Sequence, residues 1–409
     1  MTNSKPAFIW SLLLPLPLAA IVIVPLLWAA STGMVKGRTD FSHLYAAAVL
    51  IKEGQGHQLY NDDAQIAVQA RLFPEGRTPL THNHLAFEAL CLVPLAFLPF
   101  PVAIITWLLL NLALLALTMR LLGRHFARLR ASMGVPLIVL CLGFYPIGLT
   151  ILQGQNSIVI LCLYAAACVL LRSNRPYLAG VALACALFKF HLVLPTILLL
   201  FLYRKRKAVL GFVSAASAVL TLSVLVVGFS GIVQYANNLL TANSSLTDRL
   251  NRERFALYPT AYSNIRGFVY WALSEHVPEM TLLVIVVVLS FLALAIAGLL
   301  HNRIPPDLRL PFAIVVTTLV SFHLYYYDAS MMLIPMFAAA DAALAGRYSG
   351  KILTISLTLL MLSPLYPLSY LYDFASLMAL PMAGVGICLA LGLSARRREQ
   401  KSVQAVAGA

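Results

Sequence analysis

Tyr177-Leu-Ala-Gly180-Val-Ala-Leu-Ala-Cys185-Ala-Leu-Phe-Lys189-Phe-His191-Leu-Val-Leu-Pro195-Thr-Ile-Leu-Leu-Leu200-Phe-Leu202 is one apolar run with a basic cluster at each end. Arg172 and Arg175 precede it, and Arg204-Lys205-Arg206-Lys207 follow it. Basic residues between apolar runs mark the cytoplasmic side of a membrane protein. A single span here would put one cluster on the wrong side. The parity holds if the run goes out and returns as two short helices, with Phe188-Lys189-Phe190-His191 at the apex and Pro195 just beyond. That places a lysine deep on the outer side, where its cost calls for a partner.

The rest of the chain fits this frame. Of 409 residues, 61% are hydrophobic and 11% charged, against about 25% charged in soluble domains. The expected class is therefore an all-α, polytopic membrane protein. A net charge of +14 would suit a nucleic-acid binder, but the basic residues sit in short clusters between apolar runs, so no nucleic-acid partner is expected. The six cysteines, Cys91, Cys141, Cys162, Cys168, Cys185 and Cys388, lie in apolar runs without a CxxC pair. They read as small buried hydrophobes and not as disulfides or metal ligands.

Further long apolar runs occur near 8–30, 101–121, 134–150, 157–171, 208–230, 280–300, 308–327, 329–345, 351–368 and 374–394. The first exceeds a signal-peptide core and reads as an uncleaved span. Residues 84–98 are apolar but short, and they read as a re-entrant or interfacial segment on the outer side. About twelve crossings result, in one domain over 1–409, with both termini cytoplasmic. Two long external loops, about 31–83 and 231–279, remain. In the first, helices are expected over 42–52 and 62–73, with Asp62 or Asp63 as N-cap. Phe41, Tyr45 and Val49 recur at helical spacing, so this loop is expected to lie along the membrane surface.

With sides assigned, the unusual polar residues gather at the outer face. They are Asp40 with Tyr45, Gln153-Gly154-Gln155-Asn156, Lys189 with His191, Asn264 with Arg266, and His323 with Tyr327-Asp328. Polar groups near lipid are expensive and tend to line a shared wet cavity. Each also has a plain structural reading. Asp40 alone is a loop charge, 153–156 a polar turn, and Lys189 a snorkelling cation. Tyr325–Tyr327 make an ordinary aromatic belt, and His323 a packing histidine.

No Gly-rich phosphate loop, HExxH, GxSxG or zinc-like spacing is present, and no cofactor or metal is expected. One carboxylate with several cations suits a lipid-phosphate-activated sugar donor on the non-cytoplasmic side. The phosphate leaves without a general acid if cations hold its charge. The acceptor hydroxyl needs a base, and a single carboxylate supplies it, with inversion at the anomeric carbon.

The order of motifs resembles glycosyltransferase family 87, polytopic GT-C enzymes that use polyprenyl-phosphate mannose. The resemblance rests on Asp40-Phe41 with Tyr45 and Ala47, then Gly54 and Leu59-Tyr60, then Gly154-Gln155-Asn156. Ala179-Gly180 before Lys189, Ser263-Asn264-Ile265-Arg266-Gly267, His323-Leu324-Tyr325, Tyr327-Asp328 and Pro335 complete it. It implies that Asp40 is the general base and that Lys189 and His323 contact the donor phosphate or sugar; the expected partner on the other side of the reaction is a lipid or glycan acceptor. With His191, Arg266, Tyr327 and Asp328 these form the expected donor site, while Gln153, Gln155, Asn156, Tyr45 and Asn264 line the cavity. The implied location is the cell membrane, with the site facing the periplasm or exterior. Where many members carry a Tyr-Pro-Pro-like stretch after the first loop, this chain has Thr81-His82-Asn83-His84; the segment is expected to shape the acceptor side, so no acceptor is transferred. Two other classes fit a one-sided polar cavity. One is a flippase of a polyprenyl-linked sugar, which should show inverted repeats; the other is a polysaccharide ligase.

Overall fold

The computed structural model describes residues 6–13, 16, 33–76, 79–133, 137–244, 258–347, 350–362, 365 and 375–391. The described residues form helices and connecting turns, without a strand. α1 is Ala7–Leu13, and most of the expected first span, 8–30, lies outside the described residues.

Next come α2 (Phe41–Lys52), α3 (Asp62–Leu72), α4 (Ala86–Leu92) and the long α5 (Phe100–His125). The N-cap of α3 is Asn61 and not an aspartate. Its Oδ1 accepts from the Asp63 and Ala64 amides, while Asp62 and Asp63 occupy the first turn, where the helix dipole favours acids. The expectation of a surface-lying α2 also needs correcting. Every residue from Phe41 to Leu50 is buried. Small residues at Ser42 and Ala46–Ala48 let neighbours close in on the faces that would otherwise meet water. Phe41 stacks on Trp107 of α5, with ring centroids 5.7 Å apart.

α6 (Ala127–Met133), α7 (Leu137–Gly143) and α8 (Tyr145–Gln153) follow. The expected span 134–150 is thus broken at Phe144, just ahead of Pro146, which has no amide proton to continue the preceding helix. α9 (Ser157–Arg172) precedes the opening run, which forms α10 (Pro176–Ala184), a tight 3-10 segment from Leu187 to Leu192, and α11 (Leu194–Leu202). At 1.5 Å per residue each short helix is about 13 Å long, less than half a bilayer core. Arg172 before the run and Lys205 after it line one cavity of about 280 Å³, so the chain leaves that end of the molecule and returns to it.

α12 (Arg206–Ser244) continues well past residue 230, so the first part of the expected loop 231–279 is helical. Gly228 interrupts it at φ +75°, a conformation open to glycine. Near its start, Gly180 and Gly211 bring α10 and α12 together: a Cβ on Gly180 would stand 1.8 Å from the Ala208 carbonyl oxygen. α13 (Ile265–Leu273), α14 (Glu279–Leu299), α15 (Arg309–Val320), α16 (Leu333–Leu344), α17 (Gly350–Met361) and α18 (Ala379–Leu391) complete the fold. α15 stops seven residues earlier than the apolar run suggests, because the chain turns extended at Ser321.

Among the described residues, three helices are long and apolar enough to cross a membrane: Phe100–His125, Arg206–Leu240 and Glu279–Asn302. They expose large apolar side chains, including Leu109, Leu225, Phe229, Phe291 and Leu299, the outward face that lipid demands. Shorter apolar helices pack among them, as in a membrane protein. The buried core runs through α9, α10, α15, α16 and α18. Of the cysteines, Cys141, Cys162, Cys168 and Cys388 are buried as expected. Cys91 and Cys185 are exposed, and all six are free thiols.

Two polar regions of the molecule differ in chemistry. At one, Arg172 reaches the His125 and Asp307 carbonyls, Arg347 pairs with Asp307 at 2.9 Å, and Arg128 approaches Asp341 at 3.7 Å. Asp40, Gln155, Lys189 and Asp328 meet elsewhere, in a buried cluster.

Candidate active site

Asp40 closes the turn ahead of α2 and is 9% exposed. Its Oδ2 accepts a hydrogen bond from Gln155 Nε2 at 2.7 Å. The other end of that amide, Gln155 Oε1, accepts from Lys189 Nζ at 3.4 Å. Lys189 lies in the 3-10 segment at a non-helical backbone position, φ −112° and ψ 65°, which turns its side chain inward. It pairs with Asp328 Oδ1 at 2.6 Å and donates to Ser157 Oγ at 3.3 Å. Ser157 Oγ in turn donates to Asp328 Oδ1 at 2.7 Å. The ammonium also sits 4.8 Å from the Tyr327 ring centroid. Asp40, Gln155, Lys189 and Asp328 therefore form one continuous polar chain through four separate segments.

Local rules place the central turn. α8 ends at Gly154, in the left-handed region at φ +64°. A Cβ there would stand 2.7 Å from Phe41 Cβ, so only glycine lets α2 and the turn come this close. Trp107 Nε1 donates to the Gly154 carbonyl at 2.8 Å and pins the turn to α5. Gln155 is thereby aimed at Asp40, and its neighbour Asn156 donates to Glu88 Oε1.

A second group adjoins the chain through Tyr325 and Tyr327, whose rings are 5.7 Å apart. The His323 ring lies 5.7 Å from His191, 4.9 Å from Tyr262 and 4.7 Å from Tyr325. Ser321 has one hydroxyl proton, which it donates to the His323 carbonyl; it therefore accepts from His191 Nδ1 at 2.8 Å. That assigns the proton of neutral His191 to Nδ1 and leaves Nε2 as a bare acceptor. Arg266 is 1% exposed and packed 3.8 Å from the Phe322 ring centroid. Its Nη1 donates to the Phe322 carbonyl at 3.1 Å, while Nε and Nη2 have no hydrogen-bond partner. Asn264 caps α13 by accepting from the Gly267 amide, and it donates to the Ser321 carbonyl.

Of the expected site residues, Asp40, Gln155, Lys189, Tyr327 and Asp328 meet in the first group, and His191, Asn264, Arg266 and His323 in the second. Asn156 turns toward Glu88. Tyr45 is not drawn in: its hydroxyl donates to the Leu98 carbonyl at 2.7 Å, and its ring packs on Phe100. Gln153 stays aside, its Oε1 buried without a hydrogen-bond partner.

The model of glycosyltransferase family 87 matches residues 86–325, more than half of the sequence. The chain belongs to glycosyltransferase family 87. No curated protein and no solved structure matches it. A family 87 chain is a glycosyltransferase, so this protein acts on a sugar donor and an acceptor. The matched span holds Gln155, Lys189, Arg266 and His323, while Asp40 lies before it and joins it through Gln155.

In this glycosyltransferase Glu88, Ser157 and His43 were not foreseen from the sequence, and His82 was expected only as part of an acceptor-side segment, 81–84. Glu88 carried a signal: it is a carboxylate inside an apolar segment, the kind of residue that is rarely idle. Ser157 and His43 gave none, because their partners are distant in the chain, and His82 and His84 stood out only as a departure from the family's pattern.

Proposed function

We propose that the protein transfers a hexose, mannose in the first instance, from a polyprenyl-phosphate donor to an acceptor hydroxyl on the non-cytoplasmic side, with inversion. The chain crosses the membrane about twelve times in this reading. The observation that carries it is the buried Asp40 carboxylate held by Gln155 within a family 87 glycosyltransferase.

Asp40 takes the proton of the acceptor hydroxyl as that oxygen attacks the anomeric carbon. The bond from that carbon to the phosphate oxygen breaks, and the phosphate leaves with the electron pair. Gln155 fixes the carboxylate, and Lys189 fixes Gln155 from behind. Because Lys189 is already neutralised by Asp328, the cation best placed to take up phosphate charge is Arg266, two of whose nitrogens are unengaged. His191, with a bare Nε2, suits a hydroxyl of the donor sugar, and His323 stands between His191 and Tyr262.

The test is release of polyprenyl phosphate by purified protein from polyprenyl-phosphate mannose. In Asp40→Asn, turnover should fall by about 10²–10⁴ while donor binding persists, the usual contribution of a general base. Turnover equal to wild type would remove Asp40 from that role.

A further inference from the structure

Three imidazoles gather beside the Gly154-Gln155-Asn156 turn, which reaches them through Asn156 and Glu88. His43 of α2 and His82 and His84 of the 79–85 loop have ring centroids 5.7 to 6.5 Å apart. Glu88, one turn after His84, meets His84 Nδ1 at 2.6 Å and accepts from Asn156. His82 is held from α3: Gln65 Oε1 accepts from its amide, and Gln69 pairs with both backbone groups of Leu80. The His82 ring is 1% exposed, yet neither Nδ1 nor Nε2 meets a hydrogen-bond partner. Asn156 Oδ1 is likewise buried and unpaired, as is the hydroxyl of Tyr235, whose ring lies 4.8 Å from that of Tyr60 beside His82. Each such atom costs about 1–3 kcal/mol if nothing fills its hydrogen bond. Several together mark a place built for a polar occupant.

We infer that His82, Asn156 and Tyr235 bind the hydroxyls of a sugar or polyol acceptor, next to the carboxylate that deprotonates it. The inference rests on the transfer reading given above. Chemistry selects this occupant over the others. Glu88 repels a phosphate, and among the described residues no lysine or arginine pairs with the cluster. Among the described residues no three His, Cys, Asp or Glu converge closely enough to hold a metal. Burial pushes the His82 imidazole down to about 3, so it is neutral and offers one donor and one acceptor. That is the pair a sugar hydroxyl requires. The Asn156 carbonyl adds an acceptor, and the Tyr235 hydroxyl can donate or accept. The two sites adjoin in the chain: Asp40 is the N-cap of α2 and His43 lies in its first turn, and Gln155 and Asn156 are consecutive.

The test uses full-length protein in detergent, labelled polyprenyl-phosphate mannose and excess glycerol as the acceptor probe. The readout is the ratio of glyceryl mannoside to free mannose, which is independent of total turnover. In wild type it should exceed the glycerol-to-water molar ratio by about tenfold or more. His82→Phe should bring it down to the molar ratio, and His82→Gln, which keeps part of the polarity, should fall between. A wild-type ratio in His82→Phe, or a wild-type ratio no higher than the molar one, would overturn the site and leave water as its occupant. Loss of donor cleavage in both variants would overturn it too, by placing His82 in the cleavage step or the fold. Cleavage absent from wild type is the distinct outcome that sinks the transfer reading itself.

Discussion

Removing one member of the buried Lys189–Asp328 pair should do more harm than removing both. The two side chains are 4% and 1% exposed and their charged atoms are 2.6 Å apart. At an effective dielectric of 20 the attraction is about 332/(20 × 2.6), or roughly 6 kcal/mol before desolvation is charged against it. Lys189→Met strands Asp328, whose Oδ2 already has no hydrogen-bond partner. Asp328→Leu strands the ammonium beside Tyr327. Either change should cost about 3–5 kcal/mol, the usual penalty for breaking a buried pair. The double variant removes both charges, so a coupling energy of at least about 2 kcal/mol should emerge from reversible unfolding of all four proteins in detergent. Costs that simply add would refute the pair as a mutual compensation. The same double variant separates two roles of Lys189. If the lysine only holds Gln155 and the fold, turnover should recover part-way with stability; turnover that stays lost in a restored fold would assign the ammonium to the donor.

Gln155→Leu removes the hydrogen bond to Asp40 and should lower turnover about 10- to 100-fold, matching the roughly 1.5–3 kcal/mol of a bond to a charged group; an undiminished rate would show that the amide does not set the base. Gly154→Ala forces a side chain into the left-handed region and against Phe41, so it should destabilise by about 1–3 kcal/mol in a melting experiment. His82 links stability to pH. Burial lowers its folded value to about 3 from an ordinary 6.5, so between those limits the unfolded chain binds the extra proton. Its contribution is complete above about pH 6.5 and is lost as pH falls toward 3, by at most about 5 kcal/mol. His82→Gln should flatten the stability profile in that window, with Glu88, His84 and His43 left to shape the remainder.

The sequence was most readable where energy forces a pairing. A lysine in an apolar run requires a partner, and Asp328 is the one it finds, 139 residues away. Gln155 was legible as part of a polar turn that lipid would penalise, although its target was not. Local rules failed where a neighbour competed. Asn61 caps α3 just ahead of two aspartates, because Asn serves a cap as well as Asp does. The spacing of Phe41, Tyr45 and Val49 suggested one apolar face, whereas small residues let α2 be buried all round. His82 and His84 stood out as a departure from the family's pattern, but their clustering was out of reach, since His43 comes from α2 and the carboxylate is tied to Asn156 in a third segment. Nothing in the local sequence records those long-range contacts.

The turn at Gly154-Gln155-Asn156 has a consequence for how such a catalyst diversifies. Two acids, Asp40 and Glu88, are gripped by adjacent side chains of one rigid peptide, which Trp107 and Phe41 lock from behind. The opposite wall, 80–82, hangs from two glutamines of α3 that hold its main chain and ignore its side chains. One wall is a fixed jaw and the other an exchangeable insert. On the acceptor site inferred above, residues 81–83 can then be replaced to suit a different acceptor, while His84 stays tied to Glu88 and the two carboxylates keep their spacing.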